Sequence, residues 1–445
     1  MAADASPGLR RSLGLFDASM LVMGGIVGAG IFMNPSVVAR LVHTPALVLG
    51  AWAFGGLIAL AGAFVYAELA ARRPETGGQY AYFREAFSPG VAFVYGWSLL
   101  FVTQSGGIAA VAVTFATYFI ELTGTTAPAS VIAAVTLAIL TLVNCLGVRV
   151  GSTIQNVFMV LKIGAIVALV AVGIFWTIAA SPAQVGAAAP PGDSGFATTT
   201  AFAAALVPVL FAYGGWNTAG FASGELRDAR RDMSRGLVFG VIGVIVLYLA
   251  VSAVCLHTLG VEGLAATNTP ASEVMRRAFG DGGARFIAVG IAVSTFGFLA
   301  QGMLTNPRVY YAMAQDGLFL RSVGWVHPST RVPVVAIALQ GAFAIAIAAS
   351  GRYEQILNYV VSVDYLNFGL AAVCLFVLRR RDVDAEPPFM RVPGHPWTTL
   401  FFVAACWLVV ANLVVKDPGS TLIGYALVCT GVPAYLVRKW WMARR

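Results

Sequence analysis

The chain has few charged residues and few of the side chains that enzymes use for catalysis. Of its 445 residues 11% are charged, and it contains 4 histidines and 5 cysteines. It has no CxxC pair, no histidine spacing typical of a metal site and no Walker A phosphate loop. Clusters such as DxxD or HxxxH, which a membrane-embedded enzyme would need at one depth, are also missing. We therefore expect no catalytic residues, no cofactor and no metal.

Long apolar runs dominate the sequence instead. The composition is 59% hydrophobic and the mean hydropathy is +0.81, which indicates an integral membrane protein. The first run is too long for the apolar region of a cleavable signal peptide, so we expect it to remain as span one. Runs that could cross about 30 Å of hydrocarbon occur at 15–41, 46–71, 90–120, 128–148, 153–180, 199–223, 236–260, 286–313, 332–350, 353–378, 397–415 and 420–438.

The basic residues predict how the chain is oriented in the membrane. The net charge is +8, and most of the arginines lie in the short loops that follow every second span. An excess of basic residues in short loops marks the cytoplasmic side. We expect a multi-pass protein of the cell membrane with both termini in the cytoplasm, and we expect the lipid bilayer, not nucleic acid, as its surroundings.

Two spans contain glycines where a helix would not favour them. Span one carries GGIVGAGIF at residues 24–32, and each glycine there costs a helix about 1 kcal/mol relative to alanine. Span six carries FAYGGWN at residues 211–217, after Pro208. A GxxxG pair alone could serve helix packing. Spans one and six, however, open two consecutive groups of five spans, and paired Gly-interrupted helices in inverted repeats indicate the binding site of a secondary transporter.

Unwound backbone in a membrane requires a polar partner. Unpaired peptide groups survive only where they are buried in protein or line a cavity. A helix N-terminus attracts an anion, and exposed carbonyls attract a cation. A ligand with both a carboxylate and an ammonium group fits such a pair, so the sequence predicts a free amino acid as substrate.

With these motifs the sequence resembles the amino acid–polyamine–organocation (APC) superfamily and, within it, the L-type amino acid transporters. GIVGAGIF and FAYGGWN are similar to that family's signatures in spans one and six. TGGQYAYFREAF after span two, and STFG followed by RVYYAMAQDG in span eight, are similar to further landmarks in the same order. The resemblance extends from about Gly14 to the C-terminus. It implies an all-α integral membrane protein with twelve transmembrane helices, a LeuT-like fold with a 5+5 inverted repeat, and unwound spans one and six.

The resemblance also implies a division of the chain and a set of site residues. The segments are an N-terminal cytoplasmic tail (1–14), the first repeat (15–180), the second repeat (199–378), spans eleven and twelve (397–438) and a C-terminal cytoplasmic tail (439–445). The implied substrate-binding residues are Ile26, Gly28, Ala29, Gly30, Phe211, Ala212, Gly214, Trp216 and Asn217. Backbone of span one would hold the carboxylate, and carbonyls of both spans the ammonium. Phe211 would close over the substrate, and Trp216 and Asn217 would line the lower pocket.

Lys162 is a buried charge about ten residues inside span five, roughly 15 Å from its start. A lysine stem cannot carry its ammonium that far to the surface, and a charge at such a depth is functional by default. The resemblance implies that the ammonium occupies the position of a sodium ion in sodium-coupled relatives, between span one near Gly28 and span eight near Ser294. A fixed charge and a proton carrier both remain possible roles.

Asp364 in span ten is a second buried charge, where the L-type relatives usually carry asparagine. It could attract a cationic side chain, relay a proton or pair with another buried group.

We therefore expect a carrier of L-amino acids, of neutral specificity, that works by alternating access. Transport would be either sodium-independent exchange or proton-coupled. A cationic amino acid or polyamine antiporter is the alternative within transport. A membrane enzyme or a channel is the alternative outside it.

The loop between spans three and four predicts the absence of one kind of partner. Animal L-type transporters join a glycoprotein through a cysteine in this loop, which here reads ELTGTTAPAS. It contains no cysteine, so a disulfide-linked ancillary subunit is not expected.

Overall fold

A computed structural model describes most of the chain. The described residues are 14–73, 78–147, 152–179, 195–218, 226–330, 332–350, 352–383 and 387–443. Most of the predicted N-terminal tail, and Thr76 and Gly77 of the motif after span two, lie outside these ranges.

The described residues form helices and connecting turns, without a β-sheet. The α-helices are α1 (Leu15–Ile26), α2 (Gly30–Val42), α3 (Pro45–Arg72), α4 (Gln79–Ala86), α5 (Pro89–Ser98), α6 (Gln104–Thr123), α7 (Ala129–Cys145), α8 (Ser152–Ala179), α9 (Gly195–Tyr213), α10 (Ser234–Ala266), α11 (Pro270–Thr305), α12 (Pro307–Gln315), α13 (Val334–Ser350), α14 (Tyr353–Arg381), α15 (Trp397–Lys416), α16 (Pro418–Cys429) and α17 (Gly431–Ala443). A π-helical segment, Leu99–Thr103, joins α5 to α6 without a break.

The lengths of these helices can be compared with the twelve predicted membrane spans. Within the described ranges, eight helical stretches are long and apolar enough to cross a membrane, and α1 with α2 forms a ninth candidate that is bent by 46°. Three shorter apolar helical stretches, in α7, α8 and α13, coincide with other predicted spans. The all-helical membrane architecture is therefore confirmed, and the number twelve remains a prediction.

The broken span lies at the centre of the bundle. Helix α1 packs on α10, α2 packs on α9, and α10 also packs along α3. Two glycines of α10 permit the close contact with α1, since a Cβ at Gly236 would lie 2.7 Å from the Ala18 Cβ and one at Gly240 would lie 2.7 Å from Val22. The break between the two halves is enclosed, since Ile26, Val27 and Ala29 are buried, and unpaired backbone can be tolerated in such surroundings.

A carboxylate at the end of α3 joins three parts of the chain. Glu68 is fully buried and accepts hydrogen bonds from Arg72 at 2.9 Å, from Arg379 of α14 at 2.9 and 2.5 Å, and from the Val392 amide at 2.7 Å. Beside it Arg72 pairs with Asp382 at 3.2 Å. Glu68 therefore holds α3, α14 and the loop before α15 together.

Replacing Glu68 tests how much this junction stabilises the fold. We expect Glu68→Ala to lower stability by about 3–5 kcal/mol, because the Arg379 guanidinium and the Val392 amide lose a buried partner. The measurement is the thermal unfolding midpoint of the detergent-solubilised protein.

Glu85→Ala is the matched control for that measurement. Glu85 is also paired with an arginine, Arg73 at 2.5 Å, but its side chain is 44% exposed. Exposed pairs contribute about 0–1 kcal/mol, so the midpoint should change little. Equal effects of the two substitutions would contradict a special role for Glu68.

Candidate functional site

The predicted breaks in spans one and six are both present in the structure. Helix α1 ends at Ile26 and α2 begins at Gly30, so residues 27–29 leave the helical path. Helix α9 ends at Tyr213, and Gly214 and Gly215 follow without helical structure. Gly215 has a φ of 103°, which side chains of L-residues rarely adopt.

The two breaks lie directly against each other. A Cβ at Gly30 would lie 2.8 Å from the Ala212 Cβ, and one at Gly215 would contact the Gly25 carbonyl oxygen at 2.3 Å. Such distances leave no room for side chains, so the glycines are required where the broken backbones meet. Gly28 differs from them, since a Cβ there would meet no atom closer than 3.8 Å.

The breaks place backbone groups of opposite polarity side by side. The amides of Ala29, Gly30 and Ile31 precede the first intrahelical bond of α2, from the Phe32 amide to the Ala29 carbonyl. This helix N-terminus carries partial positive charge, and the last carbonyls of α9 carry partial negative charge. The arrangement can hold an anionic group and a cationic group of one small ligand.

Tyr248 of α10 joins the two breaks and was missed by sequence reasoning. Its hydroxyl is within hydrogen-bond distance of the Ile26 carbonyl at 3.1 Å and the Ala212 carbonyl at 3.2 Å, and the side chain is fully buried. A hydroxyl has one proton, so it donates to one carbonyl at a time. Two of the predicted site residues thus share this donor. No sequence signal distinguishes Tyr248 from other tyrosines in apolar helices.

The remaining predicted residues of span six surround the second break. Phe211 is partly exposed next to it, and its carbonyl accepts the Gly214 amide at 3.1 Å. Trp216 is fully buried, with its ring 5.2 Å from Phe368 and 6.4 Å from Tyr66. Trp216 and Asn217 line a small cavity, with room for roughly one water molecule. The pair therefore forms one side of a space below the break.

Lys162 lies against the first half of span one. Its ammonium donates to the Gly24 carbonyl at 3.3 Å and lies 5.2 Å from the Phe298 ring centre, and the residue is 5% exposed. These contacts are one helical turn from the predicted ones at Gly28 and Ser294. The Ser294 hydroxyl is buried and has no hydrogen-bond partner among the residues described. The ammonium thus links α1 to α11 beside the break.

Asp364 lies on α14, on the side that faces α5 and the π-helical segment. Thr103 and Tyr95 are its polar neighbours there. Tyr365, the next residue, donates to the Leu210 carbonyl of α9 at 3.2 Å. Asp364 is therefore close to the second break but does not contact Lys162 in the described structure.

The first turns of α2, just beyond the break, are also fixed by polar contacts. Asn34 donates to the Pro208 carbonyl of α9 at 2.6 Å and accepts from the Tyr353 hydroxyl of α14 at 2.9 Å. Two residues earlier, the Phe32 carbonyl accepts from the Tyr118 hydroxyl at 2.8 Å. These bonds tie α2 to α9, α14 and α6, and so they orient its N-terminus at the site.

Comparison with known proteins agrees with this geometry. The family described as amino acid permease matches residues 13–433. The serine/threonine exchanger SteT of Bacillus subtilis is 28% identical over 97% of this chain and 98% of its own length. The mouse large neutral amino acids transporter small subunit 2 is 28% identical over 99% of this chain and 84% of its own. The human cystine/glutamate transporter is 26% identical over 97% of this chain and 86% of its own length.

These relatives are transporters, and the family match covers nearly the whole chain, including both breaks. The resemblance to the APC superfamily and its L-type members is confirmed. The chain belongs to the amino acid permease family and is a multi-pass membrane transporter of amino acids, not an enzyme.

Proposed function

We propose that the protein is a sodium-independent carrier of neutral L-amino acids that works by alternating access in the cell membrane. The observation that carries this proposal is the contact between the two breaks, where the N-terminus of α2 meets the last carbonyls of α9 at Gly30 and Ala212. This pair of backbone ends has the polarity of the α-carboxylate and α-ammonium that all free amino acids share.

In the proposed complex, the amides of Ala29 and Gly30 donate to the substrate carboxylate. The carbonyls of Ile26, Phe211 and Ala212 accept from its ammonium. Tyr248 keeps the carbonyls of residues 26 and 212 in place. The substrate side chain then lies toward Phe211 or toward Asn217, and those surroundings determine which amino acids bind.

Lys162 replaces a sodium ion in this proposal. Its ammonium joins the Gly24 carbonyl of α1 to the Phe298 ring of α11, so a positive charge from the protein itself supports the broken helix. Binding a separate cation at that place would bring two like charges together in a low-dielectric interior. Transport should therefore not need sodium.

Alternating access follows from the proposed repeat. With twelve spans and five-span units at 15–180 and 199–378, each unit contributes one broken helix to a shared central site. A four-helix bundle that includes both broken helices then rocks against the remaining spans and opens the site to either side in turn. The Lys162 contact joins α1 to α11 beside this bundle's first break.

The names of the relatives favour neutral substrates and exchange. One relative is a serine/threonine exchanger and another a large neutral amino acid transporter, although a third is a cystine/glutamate transporter. A cationic amino acid or polyamine antiporter is the second candidate. Asp364 favours it, since a buried carboxyl close to the second break could attract a positively charged side chain.

Competition for uptake tests the proposed function. Purified protein in liposomes preloaded with leucine should take up labelled leucine, and neutral L-amino acids should compete whether or not sodium is present. Each of the twenty amino acids and simple amines serves as competitor. Competition by cationic compounds alone would support the second candidate, and a lack of competition by any amino acid would contradict both.

Removing the buried ammonium tests the role of Lys162. We expect Lys162→Ala to abolish uptake while the protein still inserts and purifies, because α1 loses its charged contact with α11. Lys416→Ala, at the exposed end of α15, is the control and should transport normally. Normal uptake by Lys162→Ala would show that the ammonium is dispensable.

Removing one hydroxyl tests the junction of the two breaks. Tyr248→Phe removes the one donor that the Ile26 and Ala212 carbonyls share, at a cost of about 1–3 kcal/mol, and we expect uptake to fall roughly tenfold. Tyr425→Phe is matched to it, since the Tyr425 hydroxyl also donates to a carbonyl, that of Ser362 at 3.3 Å, but away from the breaks. Similar uptake by the two variants would argue against a role for Tyr248 at the site.

A further inference from the structure

Asp364 lies deep in the membrane-spanning helix α14. It is the twelfth residue of Tyr353–Arg381, so it lies about 17 Å from one helix end and about 26 Å from the other. The residue is partly buried. A carboxyl at this depth needs a partner or a proton.

The groups around this carboxyl are neutral hydroxyls. The Thr103 hydroxyl lies near Asp364, is buried, and has no hydrogen-bond partner of normal geometry among the described residues. The Tyr95 phenol is the second polar group near the carboxyl. Thr103 ends the π-helical segment Leu99–Thr103, and such segments often occur at functional sites. A hydroxyl can donate to a carboxylate or accept from a carboxylic acid, so the Thr103 hydroxyl suits both protonation states.

No permanent charge neutralises Asp364 within the part of the chain that the structure describes. The titratable groups that act on it are the phenols of Tyr95, from α5, and of Tyr365, from its own helix. The elements packed against it contribute no lysine, arginine, histidine or second carboxyl to this contact. Lys162 contacts Gly24 and Phe298 instead. The ionised carboxylate is thus without a counter-charge from the described protein.

Tyr95 connects Asp364 to the candidate site and to a cavity. Its hydroxyl donates to the Gln79 side chain at 3.2 Å and also interacts with the Asn217 amide. Gln79 and Asn217 both line the small cavity below the second break. Tyr95 therefore lies between the neighbourhood of Asp364 and two residues that line the cavity.

We propose that Asp364 binds the proton that drives amino acid transport, with the Thr103 hydroxyl as its hydrogen-bonding partner. This inference rests on the proposed amino acid transport and adds its coupling ion. The step is a simple protonation: the carboxylate takes one proton from one side, forms a neutral carboxylic acid, and releases the proton to the other side. Thr103 donates to the carboxylate and accepts from the acid.

Proton flux in liposomes tests the proposal. The wild-type protein and Asp364→Asn, which resembles the protonated acid, are compared in vesicles that contain a pH-sensitive dye. With an inward proton gradient, the wild type should acidify the lumen as it takes up leucine and should accumulate it up to about tenfold per pH unit for one proton per substrate. Asp364→Asn should still exchange leucine for leucine but should neither acidify the lumen nor accumulate substrate.

Two further variants separate a specific loss of proton coupling from a general loss of activity. Thr103→Val preserves the shape of the side chain and should shift the pH dependence of uptake without abolishing exchange. Glu354→Gln replaces an exposed carboxyl at the start of the same helix and should leave coupling unchanged. If Asp364→Asn does not fold, an unaltered pH dependence in Thr103→Val overturns the proposal.

Other outcomes also overturn it. Uptake by the wild type without luminal acidification would show that coupling does not involve protons. Intact coupling in Asp364→Asn, combined with a loss of competition by cationic amino acids, would make Asp364 a recognition site for positively charged side chains. A wild type that exchanges no amino acid would contradict the proposed function itself. Leucine exchange is measured separately from proton flux, so the two failures can be distinguished.

Discussion

Peptide groups freed by two broken helices must find partners inside a membrane protein, and this constraint shapes the rest of the molecule. Unpaired backbone groups cost several kcal/mol each in an apolar environment. The chain meets the constraint by bringing the breaks together, with Gly30 against Ala212 and Gly215 against Gly25. Each break is thereby covered by the other, and the N-terminus of α2 lies beside the last carbonyls of α9.

Other buried polar groups can be understood from the same constraint. Tyr248 provides a donor to carbonyls from both breaks, and Lys162 provides a positive charge to α1 just before its end. Asn34 fixes α2 beyond the break through α9 and α14. Each of these side chains acts on the backbone of a broken helix. A small amino acid that adds its own carboxylate and ammonium would complete the arrangement.

Some of this could be predicted from the sequence, and some could not. The positions of the breaks were predictable, because glycines at residues 28, 30, 214 and 215 weaken helices that are otherwise strongly apolar. Tyr248 was not predictable, since its importance arises only when α10 packs between the two breaks. The contact of Lys162 with Gly24 differs from the expected one by a helical turn, because sequence spacing does not determine the rotation and shift of packed helices. The polar surroundings of Asp364 likewise come from α5 and the π-helical segment, which are far away in sequence.

A cryo-electron microscopy structure with a transported amino acid bound would show whether the two breaks form one amino acid site. We predict the substrate carboxylate within hydrogen-bond distance of the Ala29 and Gly30 amides. We predict its ammonium at the carbonyls of Ile26, Phe211 or Ala212. An amino acid bound elsewhere, with the amides at the start of α2 paired to protein groups, would contradict a shared site at the breaks.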